Sequence, residues 1–189
     1  MVLPIVQYGH PTLRKKGARI ETVTDDIHRL IADMFETMEK ADGVGLAAPQ
    51  VDHALQLALV DVRGVSERPS LLWLNGHRAD VDSFMPLVLI NPVVVPYGPK
   101  AKGMEGCLSF PDVYAEVERQ AEVEVTAWNE RGEEYSFRAG GLLARAVLHE
   151  VDHLNGVLFI DRMNSEARAE IKPDVDRILA STKARLKRG

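Results

Sequence analysis

At 189 residues and 21.0 kDa, with 46% hydrophobic and 27% charged residues, the chain is long enough to bury one full core and has an ordinary globular composition. A formal net charge of −5 argues against a nucleic-acid binder built on a broad basic surface, and the lone cysteine, Cys107, excludes an intramolecular disulfide. The apolar run "MPLVLINPVVVP" is broken by Asn91 and three prolines and is too short to span a bilayer, so no membrane role and a cytoplasmic location are expected.

In chain order, an extended N-terminal segment precedes "TDDIHRLIADMFETMEKADG", where Ile27, Leu30, Ile31, Met34, Phe35 and Met38 mark one face of a helix. Thr24 suits its N-cap, Asp25 and Asp26 its positive end, and Gly43 its stop. "VGLAAPQ" reads as a small-residue turn or loop. Leu55, Leu57 and Leu59 alternate as in a strand, and "LVLINPVVV" is β-rich. Between these, residues 63–84 show no clear period and read as a long, partly irregular connection. "AEVEVTAW", the turn "NERG" and "EEYSFRA" form an expected hairpin. "GLLARAVLHEVDHLNG" returns to helix, stopped at Gly156, and a short basic helix at about 174–188 is expected to start at Pro173. No repeat or domain boundary interrupts this order, so residues 1–189 read as one α+β domain.

The chemistry concentrates in "HEVDH". On a helix, the spacing of His149 and His153 puts both imidazoles on one face, one turn apart, with Glu150 beside the first. Such a pair can hold a divalent metal, and the carboxylate can act on a water beside it. A carboxylate within so apolar a helical neighbourhood would be costly without a task. Two ligands need a third. Phe159 stands where a downstream histidine would complete one familiar zinc pattern, so that reading fails. Glu166 and Glu170 lie in a polar stretch that reads more simply as a solvated face. The remaining candidate is Cys107, in "GMEGCLSFP": a thiolate with two imidazoles suits zinc or ferrous iron and leaves a position for water. A copper electron-transfer site with Met104 as axial partner would leave Glu150 without use.

Three segments in this order, "GVGLAAPQ" (43–50), "EGCLS" (105–109) and "HEVDH" (149–153), resemble the peptide deformylases; weaker similarity runs from "GHPTLR" to "GVLFIDR". The resemblance implies an α+β domain whose antiparallel β-sheets pack around a central metal-binding helix. It implies an enzyme that hydrolyses the formyl group from the N-terminal methionine of nascent polypeptides, releasing formate. Carried over by position, Cys107, His149 and His153 hold the metal, Fe²⁺ physiologically, with Zn²⁺, Ni²⁺ or Co²⁺ as substitutes. Glu150 becomes general base and then acid, while the Gln50 amide and the Leu108 backbone N–H become oxyanion donors. Val44 and Gly45 pair with the peptide, Val44, Leu142 and Ala146 line the methionine pocket, and Glu105 supports the site, paired with Arg119. Formylated nascent peptides are the expected partners, with transient ribosome contact through the basic C-terminus and no specific nucleic acid.

Three positions depart from the family pattern. Leu148 stands where many members have glutamine, with an expected effect on packing. Tyr114 stands where some bacterial members carry a substrate-contacting arginine. The connection at 63–84 exceeds the compact bacterial form. Two rival classes are a peptidase cutting internal amide bonds and a protein with a structural metal site. The first lacks its third histidine, and the second lacks a fourth protein ligand.

Overall fold

In a computed structural model describing residues 1–189, the apolar stripe after Thr24 forms helix α1, Asp25–Lys40, with the Thr24 hydroxyl accepting from the Ile27 N–H. Seven strands follow: β1 (Gly45–Ala47), β2 (Leu57–Val60), β3 (Ser70–Leu74), β4 (His77–Arg78), β5 (Leu87–Cys107), β6 (Phe110–Trp128) and β7 (Glu134–Gly140). Helix α2 (Val81–Phe84) lies between β4 and β5; α3 (Gly141–Leu154) and α4 (Ser165–Leu186) follow β7. Every named strand pair is antiparallel, in the order β1-β2-β5-β6-β7-β3-β4.

Strand β2 shows why α3 ends up central. All four of its residues are buried. Leu57 and Leu59 pack with α1 residues such as Leu30, Ile31 and Met34, while Ala58 and Val60 join the cluster around α3. Alternation thus serves two apolar layers, one on each face of the strand. Helix α3 touches β1, β2, β3, β5, β6 and β7, and eleven of its residues are buried.

Three segments differ from their sequence reading. "VGLAAPQ" contains strand β1 followed by a 3-10 turn at Ala48–Val51. The connection at 63–84 is largely ordered: β3 and β4 form a hairpin whose loop is Asn75–Gly76, both at positive φ (50° and 79°). Its "NG" pair is the local signal that would have found the turn. The same connection secures the start of α3, since the Leu142 N–H donates to the Pro69 carbonyl (3.0 Å) and the Leu143 N–H to the Ser70 hydroxyl (3.1 Å). A Cβ on Gly141 would fall 2.2 Å from that carbonyl.

The C-terminal helix, in turn, begins at Ser165, with Pro173 inside it. Proline removes one backbone hydrogen bond and crowds the preceding turn. Here Ile171, Val175 and Ile178 keep one face packed against the cluster of Phe110, Val113 and Val117 across that position.

Where β5 bulges, Asn91 adopts φ 50° and is buried. Its side chain accepts from the Ile20 N–H (2.9 Å) and donates to the Ile20 carbonyl (2.8 Å), holding the segment before α1 against the sheet. Replacing Asn91 with Ala leaves both backbone groups unpaired, a cost of about 2 kcal/mol. A fall in Tm of about 4–8 °C by thermal denaturation is expected for a chain of this size.

Candidate metal centre and substrate cleft

The two histidines lie where the helical spacing requires, buried on α3 with ring centroids 5.1 Å apart. Cys107 comes from the end of β5, immediately before the Leu108–Ser109 turn into β6. Its Sγ is 3.3 Å from His153 Nε2, and one ligand atom from each of Cys107, His149 and His153 lies within 4.8 Å of the others. A tetrahedral site with ordinary metal–sulfur and metal–nitrogen distances separates its ligand atoms by about 3.5 Å, so this donor set fits a divalent metal.

Orientation is supplied by a buried polar network. Glu105 Oε1 lies 2.8 Å from His149 Nδ1, leaving Nε2 to face the ligand cluster. Arg119 grips Glu105 through Nε and Nη2 (2.6 and 3.0 Å), and Arg145 adds a third contact (2.8 Å). Arg119 also reaches Asp152 (2.9 Å), which Arg162 holds from outside (2.8 Å). Burial alone would raise the Glu105 carboxyl, but its bonds from His149 and Arg119 hold it well below the usual carboxylate range. At His153, burial, reinforced by the neighbouring His149 charge, lowers the pKa; at His149 burial acts the same way but is outweighed by the bonds to Cys107 and Glu105, which raise it. Phe159, at the position that excluded a third histidine, is buried with its ring centroid 5.9 Å from that of His149.

Glu150 has the opposite surroundings. It is 5% exposed, and its Oε2 has no hydrogen-bond partner. Burial pushes its carboxyl up to about 7, with His149 opposing the shift. Gly45 makes room for it: a Cβ there would lie 2.3 Å from Glu150 Oε1. Gln50, also buried, has its Oε1 fixed by the Ala47 N–H (2.9 Å), while Nε2 lies 3.2 Å from Ser109 Oγ and 3.6 Å from Cys107 Sγ.

A cleft of about 430 Å³ opens beside this cluster. Val44, Gly45, Leu108, Leu142 and Ala146 line it, together with Gln50, Cys107, His149 and Glu150, whereas His153 lies behind. Leu148 faces the apolar cluster around α3, in keeping with a packing role. Tyr114 is 66% exposed on the cleft rim, with its ring beside Gly106. Sequence reasoning missed Arg145, Asp152 and Arg162. The "HEVDH" motif contains Asp152, but nothing local indicates an arginine partner.

The family model for polypeptide deformylase matches residues 2–169. The chain belongs to the polypeptide deformylase family. A peptide deformylase of Methylacidiphilum infernorum is 45% identical over 94% of this chain and 93% of its own length. One from Opitutus terrae is 40% identical over 99% and 98%. The crystal structure of a peptide deformylase from Legionella pneumophila superposes with a TM-score of 0.79 at 32% identity, covering 98% of this chain and 99% of that one. Deformylases are metal-dependent hydrolases that remove the N-formyl group from nascent peptides, and this chain is an enzyme of that kind. No helix of this deformylase is long and apolar enough to cross a membrane.

Replacing Glu105 with Ala would strand the Arg119 and Arg145 guanidiniums and free the His149 ring. A loss of about 3–5 kcal/mol by denaturant unfolding is expected for such a broken buried pair. A 10–100-fold weaker metal affinity should accompany it in competition with a chromogenic chelator.

Proposed function

We propose that Cys107, His149 and His153 hold Fe²⁺ and that Glu150 carries the protons of deformylation. Gln50 and the Leu108 backbone N–H stabilise the oxyanion. The observation that carries this reading is a buried, unpartnered carboxylate oxygen on the residue next to a metal-ligating histidine, facing a cleft. A structural metal site gives such a group no task.

When bound, the metal supplies Lewis acidity and makes water a usable nucleophile near neutral pH. Glu150 accepts the proton of the attacking water and delivers it to the departing methionyl amine, so formate and a free N-terminus result. Its dry surroundings suit both roles, because a carboxyl held near neutrality exchanges protons readily in either direction. The Gln50 Nε2 and Leu108 N–H donate to the oxygen that gains charge as the formyl carbon becomes tetrahedral; removing one donor of this type costs about 10²–10³ in rate.

Gly45 opens the edge strand β1 and Val44 immediately precedes it; together they pair with the extended substrate main chain, which recognises peptides with little regard to sequence. Val44, Leu142 and Ala146 offer the methionine side chain an apolar wall. Zn²⁺, Ni²⁺ or Co²⁺ suit the same sulfur and nitrogen donors. A nascent-chain substrate supports a cytoplasmic location. The exposed Lys183, Lys187 and Arg188 at the end of α4 are then available for transient contact with the ribosome.

Glu150→Gln should retain the metal, by elemental analysis of protein purified anaerobically with Fe²⁺, and lose about 10²–10⁴ in formate release from a formyl-Met peptide. Unchanged release would remove Glu150 from the mechanism. Charge reversal of Lys183, Lys187 and Arg188 should reduce co-sedimentation with ribosomes, and added salt should weaken it in the native protein. Equal co-sedimentation of both proteins would end the ribosome reading.

A further inference from the structure

The connection at 63–84 brings a charge to the cleft that the hydrolytic chemistry does not use. Arg68 lines the cleft and is half-buried, yet no carboxylate or carbonyl of the chain engages its guanidinium. The other lining arginine, Arg145, is fully committed to Glu105, the Val117 carbonyl and the Ala101 carbonyl. Apart from Glu150, the remaining unpaired charges on the walls, Asp42 and Asp112, are acidic.

Arg68 does not hang from a loose loop. Its neighbour Pro69 accepts from the Leu142 N–H, and Ser70 from the Leu143 N–H, so its backbone is tied to the first turn of α3. Leu142 is also a wall of the proposed methionine pocket. Arg68 therefore lines the same cleft as that pocket, anchored beside the first turn of the helix that bears Leu142. In an extended peptide, alternate side chains share a side, roughly 7 Å apart, a distance an arginine can reach across. The residue sharing methionine's side is the third.

We propose that Arg68 reads a carboxylate on the third residue of the substrate, giving this enzyme a preference for formyl-Met-X-Asp and formyl-Met-X-Glu chains. This rests on the deformylase reading above. The interaction is the same in the bound substrate and the transition state, so it acts on KM rather than kcat. Asp42 and Asp112 make the preference positional, since an acidic residue nearer to them is repelled.

The test compares formate release from C-terminally amidated formyl-Met-Ala-Glu-Ala, formyl-Met-Ala-Gln-Ala, formyl-Met-Ala-Lys-Ala and formyl-Met-Glu-Ala-Ala by the Fe²⁺-loaded enzyme. A partly desolvated ion pair predicts roughly a fivefold higher kcat/KM for Glu over Gln at the third position, carried by KM and shrinking with salt. In Arg68→Glu the order should invert, with Lys preferred over Glu. A Glu/Gln ratio near one in the native enzyme, or a preference that survives Arg68→Glu, overturns the proposal. So does a gain that appears only with a free C-terminal carboxylate and vanishes on amidation, which would make Arg68 a reader of chain ends. Absence of formate from every peptide, with metal bound, would instead overturn the deformylase reading itself.

Discussion

A carboxylate buried as deeply as that of Glu105 must be compensated, and the way this chain compensates it determines the geometry of the site. Its three partners come from two elements: Arg119 on β6, and Arg145 and His149 on α3. Glu105 itself is two residues from Cys107 on β5. One group therefore fixes the helix that bears His149 and His153 against the strand that bears Cys107. The cost of removing three ionic groups from water is offset only while all of them remain engaged, which makes the arrangement all-or-none. It extends outward through Asp152 to Arg162, which is half in solvent.

The same helix carries a second buried carboxylate with opposite properties. Glu105 is held ionised by its cationic neighbours, whereas Glu150 receives no hydrogen bond to its Oε2 and is pushed up to about 7 by burial. Environments that separate two like groups in this way are the physical basis for the proposed assignment of one to support and the other to proton transfer. Gly45 is part of that assignment, because any side chain there would occupy the space of the Glu150 carboxylate. The need for this glycine follows from packing, independently of any role in bending the chain.

The histidine-bearing helix was legible because its signals are local: an apolar face, a glycine stop, and histidines one turn apart. Cys107 was recoverable by its donor chemistry and by the neighbouring motif. The full extent of β5 was not legible, since "PYGPKAKGMEGC" has little strand propensity and is held by its pairing with β6 from Pro96 to Cys107. Helix α4 was misread at Pro173 because the local penalty of proline is visible in sequence, while the packing of Ile171, Val175 and Ile178 that outweighs it is not. Arg145 escaped notice for a similar reason. On the helical wheel it is one more charged residue, and its partner lies 40 positions earlier.

Strand β1 terminates the sheet, and one of its edges faces the cleft. An unpaired edge able to recruit a peptide is equally able to recruit another copy of the same protein, the usual route to edge-to-edge aggregation. Two features of this edge limit that hazard. It is three residues long, too short to template a stable intermolecular ladder, and Glu150 and the Leu108 turn flank it within a recess. A folded neighbour's strand would have to enter that recess with its own flanking structure, whereas a flexible chain end can thread in alone. Protection against self-association and the proposed admission of an unfolded N-terminus are thus compatible with the same short, sunken edge.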